Sequence, residues 1–168
     1  FGCWKKDVFN KYGFYDERLI RNQDIELNKR IVRGGGHIFI VPDTYCTYLA
    51  RETFDGLAKN NFGNGKWNIL TVYYTKQFKS LSVRHFIPLL FLLSLIVPSI
   101  LACFYFPIGI ISLISLLLYI FLISIISLSL ALKKKLCFLY LMKAFVILHM
   151  SYGWGSLVGI INMIGYRK

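Results

Sequence analysis

Residues 86–132 contain no Asp, Glu, Lys or Arg, and no other stretch limits the fold as strongly. About 20 apolar residues carry a helix across a bilayer, so the run has length for two crossings. Pro107 marks the reversal between them, giving expected spans at 86–106 and 107–132. Pro88 falls in the first turn of the first span, where its missing N–H costs nothing. Pro98 is interior and predicts a kink. The serines of the second span can bond to backbone or to neighbouring helices without water. Two such runs back to back argue against a soluble core helix.

The charges around these spans are one-sided. Of a net +12, all eight acids lie at or before Asp55, and every later charged residue is Lys or Arg. Arg84-His85 precedes the first span and Lys133-Lys134-Lys135 closes the second. Both ends of the hairpin then face the cytoplasm by the positive-inside rule. Beyond Lys135 the pattern predicts a short interfacial turn over 136–142 and a third span near 144–165. Within it Gly155 and Gly159 form a small-xxx-small pair that permits close helix contact. His149 in the same span is either a functional intramembrane group or a hydrogen-bonding member of the bundle. Arg167-Lys168 fits an outside C-terminus poorly and leaves a re-entrant path open.

A basic, acid-free stretch beside apolar spans suits anionic lipid or the phosphates of a lipid-linked substrate. Nucleic acid is not an expected partner, because these cations flank spans instead of forming a soluble basic face. Cys3, Cys46, Cys103 and Cys137 are scattered without metal-ligand spacing and read as small buried thiols. With 168 residues, about half of them membrane-like, the soluble part is small for an independent core. The opening Phe1-Gly2-Cys3-Trp4 reads as the middle of a folded unit, hence as part of a C-terminal fragment.

The polar stretch Arg21-Asn22-Gln23-Asp24-Ile25-Glu26-Leu27-Asn28-Lys29-Arg30 reads as a helix starting near Asn22 or Asp24. Leu27 and Ile31 can face a core, and Glu26 and Arg30 can pair at i, i+4. Gly34-Gly35-Gly36 ends it. Asp24 then lies in the first turn, where free N–H groups favour negative charge. A carboxylate there can accept a proton from a substrate hydroxyl, although acids in a first turn are also ordinary helix-starting chemistry.

Before this helix, residues 5–12 read as a short amphipathic helix stopped by Gly13. After it, residues 37–41 and 44–49 are strand candidates separated by Pro42-Asp43. His37 at a strand start is read as structural. The segment 54–67 has apolar residues near helical spacing, and 68–84 reads as a second short interfacial helix. Arg51, Lys59 and Lys66 can supply cations for a diphosphate, and Trp67 can sit at headgroup depth. A plain interfacial helix whose cations meet lipid phosphates is the alternative. Trp4 can stack on a sugar or pack in a wall.

Three motifs together, Gly13-Phe14-Tyr15-Asp16-Glu17, the 21–30 stretch and Gly35-Gly36-His37-Ile38, resemble the acceptor-side half of family 2 glycosyltransferases. The similarity is greatest to the membrane-bound succinoglycan type of exopolysaccharide synthesis. Phe62-Gly63-Asn64-Gly65-Lys66-Trp67 and His149-Met150-Ser151-Tyr152-Gly153-Trp154-Gly155 extend the resemblance. Gln23 stands where many relatives carry Glu, and Asn64 where a Tyr is usual.

The resemblance implies an α/β fold: residues 1–55 as the C-terminal portion of a GT-A nucleotide-sugar transferase domain, 56–85 as basic interfacial helices, and 86–168 as about three transmembrane helices. It implies Asp24 as general base, with Gln23, Glu26, Arg30, Arg51, Lys59, Lys66, Trp67 and Trp4 as substrate-binding candidates and no metal ligands in this chain. It further implies a nucleotide-sugar donor, a lipid-linked or glycan acceptor, and a Mg²⁺ or Mn²⁺ ion held mainly by an upstream paired-Asp motif. The place implied is a bacterial plasma membrane, with the catalytic part cytoplasmic. A noncatalytic membrane scaffold or partner-binding module is the rival expectation.

Overall fold

A computed structural model describes residues 2–77 and 83–165. Six α-helices follow one another: α1 (Lys6–Tyr12), α2 (Gln23–Arg33), α3 (Phe54–Thr75), α4 (Ile87–Leu101), α5 (Gly109–Lys134) and α6 (Phe138–Gly165). Short 3₁₀ turns, Val83–Phe86 and Phe106–Ile108, lead into α4 and α5. Among the described residues there is no strand and no sheet, so the expected α/β GT-A portion is not formed. Residues 37–41 and 44–49, the strand candidates, run without regular structure and open to solvent, with Ile40 91% and Tyr45 97% exposed. The physical reason is the lack of a third strand: two short strands alone bury too little surface to hold a ladder together.

The helix expected around residues 22–33 is present. Leu27 and Ile31 are buried on one face, and the Gly34 N–H closes the end on Arg30 O at 3.0 Å. Helix α1 stops at Gly13, whose φ of +81° favours glycine. The two helices are tied together at both ends. Trp4 Nε1 donates to Asn28 Oδ1 at 3.2 Å, and the Tyr12 hydroxyl donates to Gly34 O at 3.3 Å.

Helix α3 is a single 22-residue element, so residues 68–75 continue it and do not form a second interfacial helix. Residues 78–82 of that expected helix lie outside the described residues. Thr53 caps α3 by accepting the Gly56 N–H at 3.1 Å. The chief packing in the molecule is α3 along α6, and the two run parallel. Phe54 stacks near Tyr140 at 5.9 Å, Phe62 meets Gly155, and Lys66 and Ile69 meet Gly159. Glycines permit this approach. A Cβ on Gly155 would sit 2.0 Å from Phe62 O, and one on Gly65 2.1 Å from Tyr152 O. The small-residue pair read from sequence thus faces α3.

Among the described residues, three helical stretches are long and apolar enough to cross a membrane: Val83–Leu101, Phe106–Lys134 and Phe138–Gly165. Most of the surface of α5 faces outward as Leu, Ile and Phe, far more apolar area than a soluble protein leaves open. Pro98 removes the N–H that would bond to Ser94 O, and Ser112 of α5 fills part of the gap. Its hydroxyl donates to Leu95 O at 2.9 Å and lies 3.5 Å from Ser94 O. His149 meets the Tyr119 hydroxyl at 3.1 Å, joining α6 to α5 as a bundle contact. The third apolar run has no separate interfacial turn; α6 is continuous from Phe138, and the Lys143 ammonium lies 4.5 Å from the Phe54 ring centre.

Because the α3–α6 contact is backbone against backbone, it has no room to adjust. Gly155→Ala is expected to push the helices apart and destabilise the fold by about 1–3 kcal/mol, the usual cost of overpacking. Gly165→Ala, with nothing within 4 Å, is expected to leave stability unchanged. Denaturation of both variants in detergent micelles checks the pair.

Candidate active site

Asp24 sits in the first turn of α2 with its side chain exposed, and its Oδ1 accepts the Ile25 N–H at 2.9 Å. It lines an open cleft of about 470 Å³ together with Gln23, Arg51, Arg21, Asn60 and Asn64, walled by Tyr15 and Ile20. Among the described residues Asp24 is the one carboxylate lining this cleft. Three of the sequence candidates, Asp24, Gln23 and Arg51, are therefore brought together. Gln23 is partly engaged, donating its amide to Leu19 O. Arg51 is exposed and makes no ion pair among the described residues.

The other wall of the cleft comes from α3. Asn60, Asn64 and Asn68 recur at every fourth position and so share one helix face. Arg21 Nη1 donates to Asn64 Oδ1 at 2.8 Å and lies 3.3 Å from both oxygens of Asn60. Gly63 makes room for that guanidinium, since a Cβ there would come within 2.8 Å of Arg21 Cζ. Arg21, Asn60 and Asn64 were not among the residues expected from sequence to form the site. The signal was the asparagine stripe at i, i+4, i+8 on α3.

Glu26 and Arg30 point elsewhere. They form a two-pronged ion pair, Nε to Oε1 at 3.1 Å and Nη2 to Oε2 at 2.5 Å. Arg30 also donates to Tyr12 O at 2.6 Å and Phe14 O at 2.9 Å. Four of the five guanidinium N–H groups are thereby used, two on Glu26 of the same helix and two clamping α1 and its following loop onto α2. The pair lines a second cleft with Asp16 and Arg18. There the hydrogen-bonded Arg18 guanidinium holds the Asp16 carboxyl below its ordinary range.

The remaining candidates lie apart from Asp24. Lys59 pairs with Asp55 at 2.8 Å, a contact that raises the ammonium's pKa, and it faces an apolar groove between α3, α4 and α6. Lys66 and Trp67 do not line the Asp24 cleft; the Lys66 backbone is pressed on Gly159. Trp4 stands behind Tyr15, edge to face at 5.8 Å.

The cleft offers one carboxylate, an unpaired guanidinium and several amides, a set suited to a hydroxylated, anionic ligand. It does not suit a divalent cation. Among the described residues no three His, Cys, Asp or Glu side chains converge, and Asp24 shares its cleft with two guanidinium groups. This donor set would not hold a Mg²⁺ or Mn²⁺ ion by itself; the resemblance implies ligands for that ion mainly outside this chain.

Arg30→Ala is expected to leave Glu26, only 6% exposed, as a buried charge without its partner. The cost should be about 2–4 kcal/mol, somewhat under that of a fully buried pair because Arg30 is partly exposed. Denaturant unfolding of the variant measures it, and Arg30→Lys should recover less than half, since an ammonium lacks the planar fork. Compared with protein-family models, with curated proteins and with solved structures, the chain finds no match.

Proposed function

We propose that this chain supplies the acceptor-side, membrane-embedded part of an inverting glycosyltransferase, with Asp24 as the general base. The observation that carries the reading is an exposed carboxylate at a helix N-terminus, alone in a cleft of amides and guanidinium groups. In the proposed step, Asp24 takes the proton of an acceptor hydroxyl. The acceptor oxygen forms a bond to the anomeric carbon of a nucleotide sugar as the bond to the nucleoside diphosphate breaks. One displacement inverts the anomeric centre.

Arg51 is the group suited to the phosphate of a lipid-linked acceptor, because it is exposed and unpaired beside the base. Arg21, fixed by Asn60 and Asn64, gives the cleft a standing positive charge. The donor, and any divalent cation with it, would be held by residues outside this chain. The cations at both ends of the α4–α5 hairpin favour a cytoplasmic face for the cleft, in a bacterial plasma membrane.

Sugar transfer by the native gene product in membranes tests the reading. Asp24→Asn keeps the shape and removes the base, so the rate should fall about 10²–10⁴-fold with donor KM little changed. Transfer at the wild-type rate in that variant would exclude the proposed base.

A further inference from the structure

Asn22, the residue that opens α2, is held in an unusual way. Its backbone is left-handed, at φ 65° and ψ 15°, and its side chain makes no capping bond to its own helix. An N-cap asparagine ordinarily turns back onto the first N–H groups of its helix. Here the amide reaches out to α3 instead. Asn22 Nδ2 donates to Asn68 Oδ1 at 2.8 Å and lies 3.3 Å from Thr71 Oγ1. The Thr71 proton is already given to Trp67 O at 2.6 Å, so that hydroxyl faces Asn22 as an acceptor.

The connection continues into the membrane bundle. Asn68 Nδ2 donates to the Tyr152 hydroxyl on α6. An amide has unlike ends, and one orientation of Asn68 serves both partners. Asn68 and Thr71 are buried, 8% and 2% exposed, so water does not replace a lost bond readily. Tyr152 in turn has little freedom, because its carbonyl lies against Gly65 with no room for a Cβ.

We infer that Asn68 of α3 and Tyr152 of α6 are positioning residues that set the start of α2, and through it the direction of the Asp24 carboxylate. Its catalytic consequence rests on the reading of Asp24 as base; the positioning itself does not. The arrangement links a polar cleft to an apolar helix through three side chains, Asn22, Asn68 and Tyr152. It gives the helix bundle a direct mechanical hold on a carboxylate two residues past Asn22.

Hydrogen exchange at the Glu26 amide, which donates to Asn22 O at 2.9 Å, reads the start of α2 without any assay of activity. The full chain in lipid nanodiscs is compared as wild type, Tyr152→Phe, Asn68→Ala and the double variant. Tyr152→Phe keeps the ring and removes the acceptor. Exchange at Glu26 should quicken about three- to tenfold, the factor carried by one such bond, while α1 and α5 keep their rates. In the Asn68→Ala background, Tyr152→Phe should add nothing. Unchanged exchange at Glu26 in Tyr152→Phe, or two effects that simply add, overturns the positioning role. In sugar transfer by the native gene product, Tyr152→Phe should lower kcat several-fold at constant donor KM. If exchange responds as expected and even the wild type transfers no sugar, the positioning stands and the glycosyltransferase reading falls.

Discussion

Backbone meets backbone where α3 lies along α6, and nearly everything else in the molecule is placed by that contact. Gly65, Gly155 and Gly159 remove the side chains that would hold the helices apart. What remains is close van der Waals contact together with the Asn68–Tyr152 hydrogen bond. Such contacts are stiff because a change of one methyl group has nowhere to go. Helix α3 therefore presents its asparagine stripe in a fixed direction. Arg21 and Asn22 bind that stripe, and α2 starts where they end. The Asp24 cleft is thus assembled on the outside of a helix pair, with only a small core of its own, Leu19, Leu27 and Ile31.

This explains how a small polar portion is ordered beside a membrane bundle. Leu19, Leu27 and Ile31 are buried, yet they are too few to stabilise about 50 residues by themselves. The deficit is met by directed polar contacts. Arg30 clamps the loop after α1, Trp4 bonds to α2, and Arg21 and Asn22 bond to α3. Among the described residues, the segment 37–52 bonds only within itself, Thr44 Oγ1 to Val41 O, and stays open to solvent. On the apolar side, the helices are joined by hydroxyls and an imidazole: Ser112 on the α4 backbone, and Tyr119 on His149.

The sequence was most legible where one rule decided the outcome. Absence of charge over 86–132 led to two apolar helices, and Gly155 with Gly159 led to a close helix contact. Gly13 and Gly34 ended α1 and α2 as expected. It was least legible where the outcome depended on partners. The short runs at 37–41 and 44–49, rich in Ile, Val, Phe, Tyr and Thr, satisfied a local rule for strands, but a strand forms only with a neighbour to bond to. Glu26 and Arg30 lie two and six residues past Asp24, and at about 100° per residue both fall on the far side of α2, facing the other cleft. Arg21, Asn60 and Asn64 had to be seen as pairs across 39 and 43 positions, which no local pattern reports.

The parallel docking of α3 on α6 can be measured directly in a bilayer. Spin labels placed at residues 55 and 143 should lie close together, since Phe54 touches Lys143. Labels at 76 and 143 should lie farther apart by roughly 20–30 Å, because about 21 helical residues separate the two α3 positions at 1.5 Å each. A long distance for the first pair, or equal distances for both, would mean that α3 is not seated on α6, and the cleft built upon that seat would have to be abandoned.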